Sequence, residues 1–402
     1  MEKNQSNVIS GLSWSFAERI LAQLVSTVVG IVLARLLAPD DYGIISIVMV
    51  FITFYNVFAT SGLGTAIVQK KEVDETDYNT AFWLSILQSV LLYLLLFFTA
   101  PYISAFYERP ILTSVIRVLG LRLIVTSLNT IQQAYLQRAM AFRKFFVATL
   151  FGTIVSCVVG IVLAYNGFGV WALVAQYLTN TTIDTIVLCF VCGWNPKFKF
   201  SKKKAKEIYS FGWKVLGTEL VFTLESDIRS LAVGRVFGTA DLAFYDQGRK
   251  YPSLLVDNIN NTIQKVMLPT FSRMQDDKVE LKNALRRCIR LEVFLLAPFL
   301  VGFAAIAQIF VSVLLTDKWM NAVPFIWIFC ASYLTRPIES SCHQAFLALG
   351  KSGLVLCIMI LINVTSLTLS LVAIFILKSV MWVALFSLFS TIVSVLFFPC
   401  VC

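Results

Sequence analysis

A charged side chain inside a lipid bilayer is costly unless it meets a partner or water, so such residues are where chemistry is sought first. The stretch "LTSVIRVLGLRLIVTSLNTIQQAYLQR" carries Arg117, Arg122, Asn129, Gln132, Gln133 and Arg138, with no acidic residue. Arg122 stands near its midpoint without a partner in its own segment. Two readings stand for it: an ion pair with an acid elsewhere, such as Asp184 or Glu18, or an arginine lining an aqueous cavity that receives an anion. A second stretch places Asp246, Arg249, Ser253, Asp257, Asn260 and Gln264 three or four residues apart, hence on one helical face, with Lys250, Asn261 and Lys265 flanking it. A polar stripe of that length in a membrane helix should face water or a polar ligand.

Fainter sites complete the set. Glu18 and Arg19 lie in the first apolar run, and Glu219, Glu225, Asp227 and Arg229 in the seventh. Glu225 and Arg229 stand at pairing distance along a helix. Arg336, Glu339 and His343 share a face of the tenth run. His343, the only histidine, has the side chain that titrates nearest neutral pH, although a lone histidine reads equally as a neutral hydrogen-bonding group. Within the runs basic residues outnumber acidic ones. That surplus suits phosphate or carboxylate ligands better than organic cations, because arginine holds a diphosphate through paired hydrogen bonds.

These residues need elements to position them. Of 402 residues, 58% are hydrophobic and 14% charged, and the mean hydropathy is +0.79. A soluble chain of this length has no use for so much apolar surface. About twelve apolar runs recur, each near the length that crosses a hydrocarbon core of ~30 Å: 12–37, 42–67, 80–104, 112–137, 144–165, 168–192, 209–236, 242–270, 288–315, 322–349, 353–377 and 379–399. The expected fold is an all-α polytopic membrane protein. The leader "MEKNQSNVISGLSWS" lacks a small-residue cleavage site, so the first run is expected to stay as an anchor. Nine cysteines lie mostly within the runs, as small apolar fillers. Cys189 and Cys192 form one CxxC with no second pair at metal spacing.

The net charge of +10 reads as topology rather than nucleic-acid binding. Lys197, Lys199, Lys202, Lys203, Lys204, Lys206, Arg286 and Arg287 fall in alternate connections, whereas the others hold only Arg35, Arg109, Arg235, Lys318 and Lys378. This bias places both termini in the cytoplasm. The longest connections are "NPKFKFSKKKAKE" and "SRMQDDKVELKNALRR", and the second has charged helical character suited to the membrane surface.

The phrase "LARLLAPDDYG" at 33–43 returns as "VGRVFGTADLAFY" at 233–245. At an offset of 200, Arg35 meets Arg235 and Asp41 meets Asp241. The chain therefore reads as two six-helix lobes in parallel orientation, 1–194 and 209–402, joined by a basic cytoplasmic linker at 195–208, with a substrate path between them. The phrase's arginine snorkels, and Pro39-Asp40-Asp41 breaks the helix and turns it into the next span. "ALGKSG" lacks the glycine that a phosphate-binding loop needs, since position 345 is alanine, and no HExxH or GxSxG occurs.

The phrases "ARLLAPDDYG", "SGLGTAIVQKKEVDE" and "FYDQGRKYPSLL…VMLPTFSRMQDD" resemble the Wzx-type exporters, oligosaccharide flippases of the multidrug/oligosaccharidyl-lipid/polysaccharide superfamily. The resemblance implies a V-shaped bundle that flips undecaprenyl-diphosphate-linked oligosaccharide across a bacterial inner membrane by alternating access. It implies a transporter rather than an enzyme, without a cofactor or ATP site, driven by a proton or sodium gradient and working beside glycan polymerase and export machinery. Members with fourteen spans would carry two helices beyond the twelfth found here. On this reading Arg122, Arg249 and Lys250, then Arg19, Arg117 and Arg336, receive the diphosphate, and Asp257, Asn260 and Gln264 meet sugars. Glu18, Asp184, Glu219 and His343 are the ion-coupling candidates. A multidrug antiporter of the same superfamily is the alternative, and a membrane-embedded glycan polymerase or glycosyltransferase a further one. The basic surplus counts against the first, and the short outer loops against the second.

Overall fold

The structure is a computed structural model, and it describes residues 23–401 except 59–61, 71, 140, 276 and 351. Side chains at 62, 142, 143, 145, 211–226, 261, 262, 265, 266, 268, 269, 278, 352, 356 and 396–401 also lie outside the description. Glu18 and Arg19 therefore fall outside the described residues, as does the side chain of Glu219. Among the described residues the regular structure is entirely helical. The helices are α1 (Gln23–Leu36), α2 (Pro39–Asn56), α3 (Gly62–Gln69), α4 (Glu75–Tyr107), α5 (Ile111–Arg138), α6 (Phe142–Tyr165) and α7 (Val170–Cys192). There follow α8 (Lys202–Val236), α9 (Thr239–Arg273), α10 (Lys278–Phe310), α11 (Val323–Tyr333), α12 (Arg336–Ala348), α13 (Ser352–Val372) and α14 (Val380–Val401). Among the described residues six are long and apolar enough to cross a membrane by length and composition: α4, α5, α6, α7, and α10 and α13 with their π-helical last turns. The chain groups into two compact units, Met1–Asp227 and Ile228–Cys402, and the division falls inside α8.

The repeated phrase builds the same corner in both units. α1 ends where Leu37 N–H donates to Leu33 C=O at 2.9 Å, and α8 where Phe237 N–H donates to Val233 C=O at 2.9 Å. Pro39 then opens α2 at its first position, its missing N–H being one that no helical carbonyl would have met. Gly238, at φ 96°, makes the matching turn into α9, a backbone conformation that favours glycine. Asp41 is the third helical residue of α2, and its carboxylate accepts from Ala38 N–H at 3.1 Å. Arg35 and Arg235 are exposed at the two corners, as snorkelling requires.

In the first unit α5 packs on α2, α4 and α7, and α6 lies against α7. Gly152 allows that last contact, because a Cβ there would stand 2.9 Å from the Asn180 carbonyl oxygen. In the second unit α9 packs on α11 and α12, α10 on α11 and α12, and α14 on α11 and α13. At Gly248 a Cβ would lie 2.4 Å from Phe325 Cβ, so α9 and α11 meet at a distance only glycine permits.

Within the run 42–67 lie α2 and α3, and residues 59–61 between them are outside the description. Two expectations are corrected. The run 322–349 is broken, at Leu334 and Thr335, because Pro337 sits in the first turn of α12 and cannot continue an earlier helix. The charged segment before residue 288 is not a separate surface helix. It forms the opening turns of α10, started by Asp277, whose carboxylate caps Val279 and Glu280 N–H at 2.9 and 3.0 Å.

Candidate functional site

The first unit carries a polar seam along α5 and α7. The seam exists because α5 places Arg122, Asn129 and Gln132 at helical intervals, while α7 offers Thr181, Thr185 and Cys189 four residues apart. Arg122 Nε donates to Thr181 Oγ1 at 2.8 Å, and its guanidinium lies 5.7 Å from the centre of the Tyr177 ring. Met49 Sδ of α2 stands 3.8 Å from Nη1. Asn129 Nδ2 donates to Thr185 Oγ1 at 3.0 Å and to Asp184 Oδ2 at 3.3 Å. Gln132 Nε2 approaches Cys189 Sγ at 3.2 Å.

Arg122 is thus half-buried and held by a hydroxyl, a ring and a thioether. Among the described residues it makes no ion pair, so its charge is not cancelled by Asp184. Asp184 belongs to the same seam, further along, and one of its oxygens is buried without a hydrogen-bond partner. Arg117 points elsewhere, toward α4. Its Nε donates to the Phe97 carbonyl at 3.3 Å, and its guanidinium sits 4.2 Å above the Phe97 ring. Five residues of helix turn it well away from Arg122.

The second unit gathers charges around the break between α11 and α12. Arg249 Nη2 lies 3.9 Å from Asp246, and Arg336 Nη1 lies 3.8 Å from Glu339. Asp257 lies within electrostatic reach of both Arg249 and Arg336, with Tyr333 beside all three. Glu339 also accepts a hydrogen bond from Ser394 of α14. Lys250 is exposed and has no hydrogen-bond partner for its ammonium among the described residues. Further along α9, Asn260 is buried and Gln264 accepts from Gln344 at 3.4 Å. His343 is half-buried without a described hydrogen bond. The structure therefore brings Arg249, Asp257 and Arg336 together, places Asn260 and Gln264 further along the same helix, and keeps Arg122 and Asp184 on one seam.

Two groups carry contacts that the sequence did not show. Arg229 is buried and donates to Ser366 at 2.8 Å and Ser387 at 3.2 Å, while the side chain of Glu225, its expected partner, lies outside the description. Glu292 of α10 is fully buried, its carboxylate touched by Ser341 at 3.4 Å. It follows the dense charges of 278–290, which disguise it as the tail of a surface segment.

At the opposite end of the polarity scale, a charged cluster gathers at the start of α4. Asp74 caps the helix, accepting from Asp77 N–H at 2.8 Å, and Asp77 answers by accepting from Asp74 N–H at 3.1 Å. Lys70 pairs with Asp77 at 2.8 Å, and Lys204 pairs with Asp74. A cavity of about 590 Å³ opens among Lys70, Glu72, Val73, Asp74, Asp77 and Lys204. The Lys204 ammonium holds the Asp74 carboxyl down at about 2, and Asp74 in turn raises the Lys204 ammonium above its ordinary value. Arg138 at the end of α5 donates to the α3 carbonyls of Ile67 (3.1 Å) and Val68 (3.0 Å) and to that of Lys70 just past the helix. The basic linker is strapped to the same end. Lys197 N–H donates to Asn79 Oδ1 at 2.6 Å, Trp83 Nε1 donates to the Lys197 carbonyl at 3.0 Å, and Phe198 stacks on Trp83 at 4.5 Å.

The chain is similar to several known proteins. The chain is 23% identical over 329 residues to the succinoglycan biosynthesis transport protein ExoT of Rhizobium meliloti, covering 82% of this chain and 67% of that one. It is 21% identical over 349 residues to the lipopolysaccharide biosynthesis protein WzxC of Escherichia coli, covering 86% and 71%. Among solved structures, the lipid II flippase MurJ in an inward closed conformation superposes with a TM-score of 0.78 at 13% identity, over 96% of this chain and 86% of that one. An inward-facing MATE family transporter of the MOP superfamily gives 0.75 at 14% identity, over 94% of both chains. These likenesses establish a MATE- and MurJ-like helical fold. The family model described as polysaccharide biosynthesis protein matches residues 32–324, and the chain belongs to that family, in agreement with the resemblance read from its phrases.

Proposed function

We propose that this chain is a flippase for undecaprenyl-diphosphate-linked oligosaccharide, working by alternating access in a bacterial inner membrane. On this reading twelve spans form two pseudo-symmetric six-helix lobes, and the N-terminus is cytoplasmic. The observation that carries it is Arg122, a cation half-buried in a helical bundle and held, among the described residues, only by uncharged groups. An arginine so placed keeps its full charge for an incoming anion, and its planar fork matches a phosphate. Family membership and the likeness to ExoT, a succinoglycan biosynthesis transport protein, and to MurJ, a lipid II flippase, support a lipid-linked glycan as the anion's carrier. The charges around Arg249 and Arg336 would supply a second set of contacts, and sugars would meet Asp257, Asn260 and Gln264. A proton or sodium gradient would drive the cycle.

The test is thermal stabilisation of the purified protein in detergent, since a ligand that prefers the folded state raises the melting temperature. A polyprenyl-diphosphate oligosaccharide is expected to stabilise the wild type and to lose that effect in Arg122→Ala. Stabilisation by lipophilic cations alone would assign the protein to the multidrug branch and make Arg122 structural.

A further inference from the structure

We propose that Glu292 is a proton-coupling site of the second unit, a carboxyl that takes a proton from water and returns it during the transport cycle. The inference rests on the transport reading above and adds a residue to it. Glu292 lies within the apolar helix Val279–Leu315 and is fully buried. One carboxyl oxygen, Oε2, meets Ser341 Oγ at 3.4 Å, while Oε1 is buried with no hydrogen-bond partner. The groups facing it are the Cys288 thiol one turn earlier on α10 and the Ser340 and Ser341 hydroxyls of α12. From α9 comes the Met267 thioether, 3.8 Å from Ser341 Oγ. α11 touches α10 a dozen residues further on, where Trp327 Nε1 donates to the Ala304 carbonyl at 2.9 Å. Among the described residues no cation faces this carboxyl. The side chain of Lys265, on the adjoining part of α9, lies outside the description.

A charge buried beside one long hydrogen bond is unfavourable, and a neutral acid in the same place is not. The surroundings also choose the occupant. Hard cations take several oxygen ligands, and here two hydroxyls stand beside two sulfur atoms, which leaves the proton as the partner that fits.

The first unit shows that packing does not require an acid. Glu292 lies fifteen positions after the capping aspartate of α10, Asp277, and Ser89 lies fifteen positions after the capping aspartate of α4, Asp74. Ser89 is buried too, and its hydroxyl donates to Ser127 of α5 at 2.9 Å. A neutral serine pair thus fills in one unit the place that a carboxyl–serine pair fills in the other. The carboxyl adds what serine cannot, exchange of a proton.

Glu292→Gln and Glu292→Ser separate these roles, the second copying the neutral pairing of α4. Difference infrared spectroscopy in lipid nanodiscs is expected to show a protonated-carboxyl C=O band in the wild type that disappears at alkaline pH. That band should be missing from both variants and move in its pH midpoint in Ser341→Ala. In proteoliposomes given a fluorescent undecaprenyl-diphosphate N-acetylglucosamine, an imposed pH difference should accelerate flipping by the wild type. Both variants should retain gradient-free flipping and lose the acceleration. A band that never titrates, or variants that still respond to the gradient, overturns the proposal. A wild type that moves no probe sinks the flippase reading instead, and the infrared experiment still decides whether Glu292 exchanges a proton.

Discussion

α5 runs unbroken for 28 residues against α2, α4 and α7, whereas the chain packed in the same way against α9, α10 and α14 is cut into α11 and α12. The unbroken helix holds Arg122 with a threonine hydroxyl and a tyrosine ring. The broken one sets Arg336 next to Glu339, with Asp257 and Asp246 close by. A break exposes backbone carbonyls and polar side chains that gather charges of both signs, and those charges compensate one another. A continuous helix offers few such groups, and among the described residues its arginine meets no acid. Among the described residues, the first unit thus has at Arg122 a cation with no acid beside it, and the second a cluster of both signs.

The strongest way to break this contrast is Arg122→Ala. Loss of a hydrogen-bonded charge contact is worth about 1.5–3 kcal/mol, so export should fall about 10- to 100-fold while membrane insertion stays normal. Arg122→Lys should lie between, keeping charge but not the fork. Normal export by Arg122→Ala, measured as surface polysaccharide in cells with matched protein levels, would remove the contrast.

Gly248→Val gives α9 the residue that α2 has at the matching position, Val48. Val48 is buried without conflict, but at 248 the new side chain meets Phe325. A destabilisation of about 1–3 kcal/mol, read as a lower thermal midpoint in detergent, is expected.

Arg336→Ala should matter less, because its side chain is half exposed and its pair with Glu339 is long. An exposed pair is worth about 0.2–1 kcal/mol, so export should change by about fivefold at most. A larger loss than that of Arg122→Ala would invert the assignment of the two units.

The smallest effect compares the two capping aspartates. The Asp74 carboxyl titrates at about 2 in the fold and at its ordinary 3.8 in the unfolded chain, so it stabilises above the latter and loses that contribution as pH falls between them. Asn still caps a helix. Asp74→Asn should therefore flatten the acid limb of the stability profile, and by more than Asp277→Asn, for which no lysine pair is described. Raised salt should shrink the difference, since both partners of the Asp74 pair meet solvent.

Much of this was legible in the sequence, and the limits have physical reasons. The corners at 36–39 and 236–239 were readable because proline, glycine and aspartate act within a few residues of themselves. Arg122 was readable as a charge lacking a local partner, although nothing local could choose between Asp184 and Thr181. The break before Pro337 carries a signal in "TRPIE", which was overridden by the apolar run around it. The strap at 195–201 was not legible, since Asn79 and Lys197 meet across 118 positions. Glu292 was hidden for a similar reason, because only the fold shows that α12 covers it.

The long separations along the α5–α7 seam also impose an order on biosynthesis. Thr181 follows Arg122 by 59 residues, and Asp184 follows Asn129 by 55. At about 5–20 residues per second, roughly 3–12 s pass between synthesis of the arginine and of its hydroxyl partner. During that interval a nascent α5 has its cation in the membrane with none of its α7 contacts. The insertion machinery must shelter it, or α5 must wait at the interface until α7 arrives. Nascent chains stalled before α7 should therefore be the ones that quality-control proteases clear fastest.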